Sequence, residues 1–202
     1  MRRRLVAVLI GTLSSVLLGA CSDGSAGDMF IGYVPPSAKH VGNVSVSEWK
    51  MSGSSDFHFH AAPGDVLVVY FGYTNCPDMC PTTMVAVRTA KNRIGTDLAS
   101  RVDLAMVTVD PERDLGANLD KYLGSFAARH HALVPKDAVE LQAAKDAFQV
   151  TSDVTKDASG KVTVTHSASA YVVNPAGDVV VEWPFGMDSK SMAHDLEKLL
   201  KA

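Results

Sequence analysis

Residues 66–84 read Val-Leu-Val-Val-Tyr-Phe-Gly-Tyr-Thr-Asn-Cys-Pro-Asp-Met-Cys-Pro-Thr-Thr-Met. The unbroken apolar run 66–71 is too short for a helix and does not alternate with polar residues. It therefore predicts a strand buried on both faces. A turn-rich segment carrying Cys76 and Cys80 follows, and the spacing over 82–94 predicts a helix, with Pro81 fit for its first turn and Gly95 for its end. This order puts two thiols beyond the carboxyl end of a central strand, where α/β sheets collect their ligands.

Outward from this unit, residues 102–109 predict a second strand, stopped by Asp110-Pro111, and 115–129 and 137–148 predict two helices. Residues 168–173 and 179–183 predict strands joined by the turn Asn174-Pro175-Ala176-Gly177, and 189–200 a closing amphipathic helix with Met192, Leu196, Leu199 and Leu200 on one stripe. Upstream, only short strand-like pieces at 44–49 and 57–59 stand out. A parallel strand pair followed by a hairpin and a last helix is the thioredoxin plan. The expected fold class is thus α/β, a thioredoxin-like central mixed sheet flanked by helices, in a single domain over 28–202.

The first 20 residues read differently. Arg2, Arg3 and Arg4 precede an apolar run over 5–18, short for a spanning helix, which needs about 20 residues, but fit for an export signal. Leu18-Gly19-Ala20-Cys21 then resembles a bacterial lipobox, so we expect a lipoprotein-type signal peptide at 1–20, lipidation of Cys21, and a Ser/Gly/Asp-rich tether over 21–27. That expectation places the domain outside the cytoplasm, on a membrane. The net charge is −3, and loss of the three leader arginines takes it to −6, so no basic field invites nucleic acid. With three cysteines, a four-cysteine zinc site is excluded.

If Cys21 is lipidated, Cys76 and Cys80 are the thiols left in an oxidising compartment. Four residues along a helix rise about 6 Å, within the roughly 4.4–6.8 Å Cα separation of a disulfide. A bridge that short removes little entropy from the unfolded chain and suits redox cycling better than stapling. The same two thiolates, joined by an imidazole, favour Cu(I) or zinc over hard cations. His166, 86 residues after Cys80 and just before the strand 168–173, is the candidate third ligand. Ligand type alone leaves metal and disulfide both open.

Three blocks in order, FGYTNCPDMCPTTM, VTVDPERD and THSASAYVVNP, resemble the Sco/SenC family of copper-binding proteins. The resemblance runs from about Gly64 to the C-terminus and implies a thioredoxin-like fold and a role in assembling the CuA centre of cytochrome c oxidase. It implies one copper, Cu(I) or Cu(II), per chain on Cys76, Cys80 and His166. The implied partners are the CuA-bearing subunit and a thiol reductant, and redox state of the cysteine pair would gate binding. Asp110 matches a family acidic residue near the metal, although Asp before Pro also reads as a helix N-cap. The family's Gly-Leu-Thr-Gly type stretch is replaced here by residues 128–135.

A thiol–disulfide oxidoreductase acting on the CuA-site cysteines is the alternative reading, and a peroxidase a third. Reductases on this fold place a proline where Ala168 stands, which weighs against the first. Other candidate ligands are His58 and His60, alternating on one strand face, His130 and His131, expected to diverge on a helix, and Met79 between the cysteines. No GxSxG elbow or phosphate-binding glycine loop is present.

Overall fold

The computed structural model describes residues 29–202. The signal peptide, Cys21 and the tether all lie outside the described residues. Among the described residues, no helix is long and apolar enough to cross a membrane.

Among the described residues, ten strands and five helices follow in chain order. The strands are β1 (Lys39–His40), β2 (Ser45–Glu48), β3 (Ser55–His58), β4 (Val66–Gly72), β5 (Val102–Thr108), β6 (His130–Leu133), β7 (Ser152–Lys156), β8 (Val162–His166), β9 (Ala170–Val173) and β10 (Asp178–Trp183). The helices are α1 (Met79–Arg93), α2 (Gly95–Ala99), α3 (Gly116–Gly124), α4 (Ala138–Phe148) and α5 (Ser189–Lys201). Eight strands form one mixed sheet in the order β1-β10-β9-β4-β5-β6-β2-β3, and β7 and β8 form a separate hairpin.

The apolar run forms the centre of the sheet as expected. β4 is buried along its whole length and pairs in parallel with β5, Val66 opposite Val102 through Gly72 opposite Thr108. On its other side it pairs antiparallel with β9. Burial on both faces follows from alternation: Phe71 sends its ring against Phe148 of α4, while Tyr70 faces the other way, toward the α1 side and His166. α1 packs on α5 on that side, and Arg88 of α1 reaches Ser125 and Phe126 just past α3.

Local chemistry explains the ends of these elements. Asp137 caps α4 by accepting the Glu140 N–H, and Asp188 caps α5 by accepting from the N–H groups of Lys190 and Ser191. The turn before β10 uses Gly177 at φ 81°, packed so closely on Gly42 that a Cβ would lie 2.7 Å from its Cα.

Three expectations need correction. The helix expected over 115–129 stops at Gly124, and His130–Leu133 instead extends the sheet as β6, parallel to β5. His130 and His131 therefore sit on a strand. The N-cap reading of Asp110 also fails, because α3 starts at Gly116 behind Leu115. The Asp110 backbone carbonyl accepts from Arg113 and Asp114 in a single turn, and its carboxylate pairs with Arg113. Finally, β7 and β8, a segment for which no element was expected, form the hairpin that ends at His166.

Candidate metal centre

The centre is built where β4 runs out. Gly72 ends the strand, the loop 73–78 carries Cys76, and Cys80 is the second residue of α1. Pro81 falls in the first turn, where its missing N–H would have had no intrahelical partner. This geometry folds the pair back on itself: the Cys80 N–H donates to Cys76 Sγ at 3.3 Å. Both are free thiols, Cys80 fully buried and Cys76 nearly so.

His166 arrives from the far end of the hairpin, paired through Ser152 opposite it. Its Nε2 lies 3.6 Å from Cys80 Sγ. Its Nδ1 is 2.8 Å from the Ser167 carbonyl, a contact that puts the ring proton on Nδ1 and leaves the Nε2 lone pair facing the sulfurs. The rings of Tyr70 and Tyr73 each meet the imidazole edge-on, with centroids 5.9 Å away, and fix its plane. The three ligand atoms of Cys76, Cys80 and His166 all lie within 4.8 Å of one another. Two sulfurs and one nitrogen at this spacing can close around a single soft ion.

Close packing shapes the pocket floor. A Cβ on Gly72 would sit 3.0 Å from Cys80 Sγ and 2.7 Å from the Tyr70 ring, so this position has room only for glycine. Burial pushes the Cys80 thiol up to about 12, and the contact with Cys76 adds to the rise. Burial, then the neighbouring Cys80 sulfur, also raises Tyr70 far above the ordinary tyrosine value. A metal ion held by these residues would supply the positive charge that this buried site lacks.

Asp114 is the residue that sequence reasoning missed. It is fully buried and accepts from the Thr74 N–H at 3.0 Å, from the Thr74 hydroxyl, and from the Thr108 hydroxyl at 2.7 Å. It thus ties the cysteine loop to the end of β5. The signal available was the second aspartate of VDPERD, overshadowed by the first. Asp110 is not among the clustered ligands. It holds Arg113, whose charge is felt at Tyr73 beside Cys76.

The other candidates part from the centre. His130 is bound to the Ala127 carbonyl and to Asp120, and His131 to Glu48 at 2.7 Å. Met79 packs on the hydrophobic core, and Ala168 lies in the short connection between β8 and β9. Among the described residues, the one group of three or more His, Cys, Asp or Glu side chains close enough to share an ion is Cys76, Cys80 and His166.

The SCO1/SenC family matches residues 53–201, a span that includes the whole centre. The chain belongs to the SCO1/SenC family. A mitochondrial SCO2 homologue of Danio rerio is 32% identical over 136 residues, 62% of this chain and 49% of that protein. The chain spans about half the length of the curated relatives it matches. Among solved structures, apo Sco1 of Thermus thermophilus aligns with a TM-score of 0.73 and 27% identity, covering 87% of this chain and 100% of that one. Copper-bound ScoI of Bradyrhizobium japonicum aligns with a TM-score of 0.65 and 26% identity over 77% of this chain and 98% of its own. The thioredoxin-like sheet of this SCO1/SenC member is thus the fold of its relatives.

Proposed function

We propose that this protein is a copper chaperone that holds one copper on Cys76, Cys80 and His166 and passes it to the CuA site of cytochrome c oxidase. The observation that carries the reading is the convergence of the three ligand atoms within 4.8 Å beyond the end of β4. Thiolate and imidazole are ligands for Cu(I) and, with added ligands, Cu(II). Family membership and the likeness to a copper-bound relative support copper as the cargo.

Redox gating follows from the same two thiols. Oxidation to a Cys76–Cys80 disulfide removes two of the three ligands, so the protein takes copper only when reduced, and a thiol reductant in its compartment is required. Asp110 acts on the centre through Arg113 and Tyr73. The leader supports an exported lipoprotein held on the membrane by Cys21, with its domain outside the cytoplasm.

The alternative, a thiol–disulfide oxidoreductase working on CuA-site cysteines, requires an accessible thiolate nucleophile. Its attacking thiol would be Cys76, with His166 as accessory base, and alanine at position 168, where such reductases place a proline, weighs against it. A transfer assay separates the two. The copper-loaded protein should fill an apo CuA domain whose cysteines are already reduced. Reduction of an oxidised CuA domain by the copper-free protein, with no copper transfer by the loaded one, would favour the oxidoreductase.

A further inference from the structure

At the opposite end of the sheet lies a second set of uncommitted ligands. Of the seven histidines in the chain, five are tied by their ring nitrogens: His40 to Asp178, His130 to Asp120, His131 to Glu48, His166 to Ser167 and His194 to Asp195. His58 and His60 are not. Among the described residues neither has a hydrogen bond or ion pair through its ring, and their contact is with each other, centroids 6.5 Å apart and planes within 19°.

Their placement is set by the backbone. His58 ends the edge strand β3, and the His60 N–H bonds back to the His58 carbonyl at 2.9 Å, a tight bend that keeps both imidazoles on one side. Phe59 between them is fully buried against Phe57 and Phe148, which anchors the bend and turns the two rings outward. Asp56, two residues before His58 on the strand, is exposed and shares with both histidines a cleft of about 370 Å³ floored by Leu67 and Asp103. Successive odd or even positions of a strand share a face, so Asp56 and His58 are neighbours there.

We propose that Asp56, His58 and His60 form a second metal site, for Cu(II) or another borderline divalent cation such as Zn(II). Two imidazole nitrogens each about 2.0 Å from an ion, with a carboxylate oxygen and water completing the shell, suit the tetragonal N,O coordination of Cu(II), which heads the divalent affinity order. As placed, the three side chains are not close enough to share an ion, and the site requires the two exposed rings to rotate from stacked to convergent. The cleft sits at the start of β4, at Leu67, whereas the thiol centre follows Gly72 at its end, about 17 Å of strand away. The two sites share no ligand. The second contains no thiol and survives oxidation of the first.

The test is a Cu(II) titration of the full chain carrying Cys76→Ser and Cys80→Ser, followed by electron paramagnetic resonance. The expected result is one bound Cu(II) with nitrogen hyperfine structure, lost when His58→Gln and His60→Gln are added and retained with His40→Gln. No bound Cu(II) in the cysteine-free chain, or a signal unchanged by the His58 and His60 substitutions, overturns the proposal. Should the serine variant fold poorly, the reduced native chain serves instead: Zn(II) stoichiometry should fall from two to one with His58→Gln and His60→Gln. An unchanged count there is equally fatal.

Discussion

Asp114 holds Thr74 by both its backbone N–H and its hydroxyl, and through this one side chain the end of β5 sets the shape of the cysteine loop. The loop has little else to define it. Cys76 donates its N–H to the Tyr73 carbonyl at 3.3 Å, and Pro77 and Asp78 are exposed. Rigidity at the metal ligands is therefore borrowed from a buried acid that touches neither sulfur.

Replacing Asp114 by alanine strands three donors, the half-buried Thr74 N–H and hydroxyl and the buried Thr108 hydroxyl. The expected cost is about 3 kcal/mol in urea unfolding, from the lost charge-assisted bonds and unsatisfied donors. Copper affinity should fall about tenfold or more in competition with a chelator, as is usual when a ligand loses its outer support. Asp114→Asn, which keeps one acceptor oxygen, should lose less on both counts. A stable Asp114→Ala protein with native affinity would contradict this role.

The two thiols should differ in reactivity. Cys80 is fully buried with its pKa pushed up to about 12, whereas Cys76 retains 8% of its surface. Because the thiolate is the reacting form, iodoacetamide near neutral pH should alkylate Cys76 first and leave Cys80 until the fold opens. Peptide mass spectrometry of the copper-free, reduced protein reads the order directly. Prior modification of Cys80 would show that its burial is not as described.

His131, Glu48 and Asp103 set a pH dependence away from the centre. Burial opposes the His131 charge, but hydrogen bonds to Asp103 and Glu48 outweigh it and raise the pKa above 6.5. Against the same burial, the contacts with His131 lower Glu48 below 4.5 and Asp103 below 3.8. A base with a raised folded pKa stabilises fully below its unfolded value, and that contribution is lost as pH climbs through the folded value. The two acids stabilise above their unfolded values and lose this as pH falls through their folded ones. The cluster thus contributes most between about pH 4.5 and about pH 6.5. Urea midpoints of the native chain should decline as pH rises above this window, and His131→Gln should flatten the decline. Parallel slopes for the two proteins would rule the cluster out as its source.

Where sequence and structure agree, the reason is strong local signal. The apolar run of β4 had no other home than a sheet centre, and Asn174–Gly177 is turn chemistry that admits little else. The three ligands Cys76, Cys80 and His166 were legible, the cysteines from spacing and the histidine mainly from resemblance. What escaped was decided by tertiary pairing. His130-His131-Ala132-Leu133 does not alternate in polarity and follows a helical pattern, so its pairing with Leu104–Val107 of β5 leaves no local trace. The β7–β8 hairpin had a visible signal in Thr163, Val164 and Thr165 after the Asp157–Gly160 turn, with Gly160 at φ 85°. Few of its residues are buried, so the usual apolar cue was faint. Asp110 drew attention by standing before proline, while Asp114, which supports the loop, shares the same VDPERD block but owes its role to the Thr74 and Thr108 donors that folding brings to it.

The central claim is that Cys76, Cys80 and His166 bind one copper together. An anaerobic copper titration of the reduced protein, followed by absorbance and copper analysis, tests it against His166→Ala and Cys80→Ser. The account predicts one copper per chain, a thiolate-to-Cu(II) charge-transfer band that shifts or weakens in His166→Ala, and loss of both band and tight binding in Cys80→Ser. Equal copper loading and an identical band in all three proteins would contradict it.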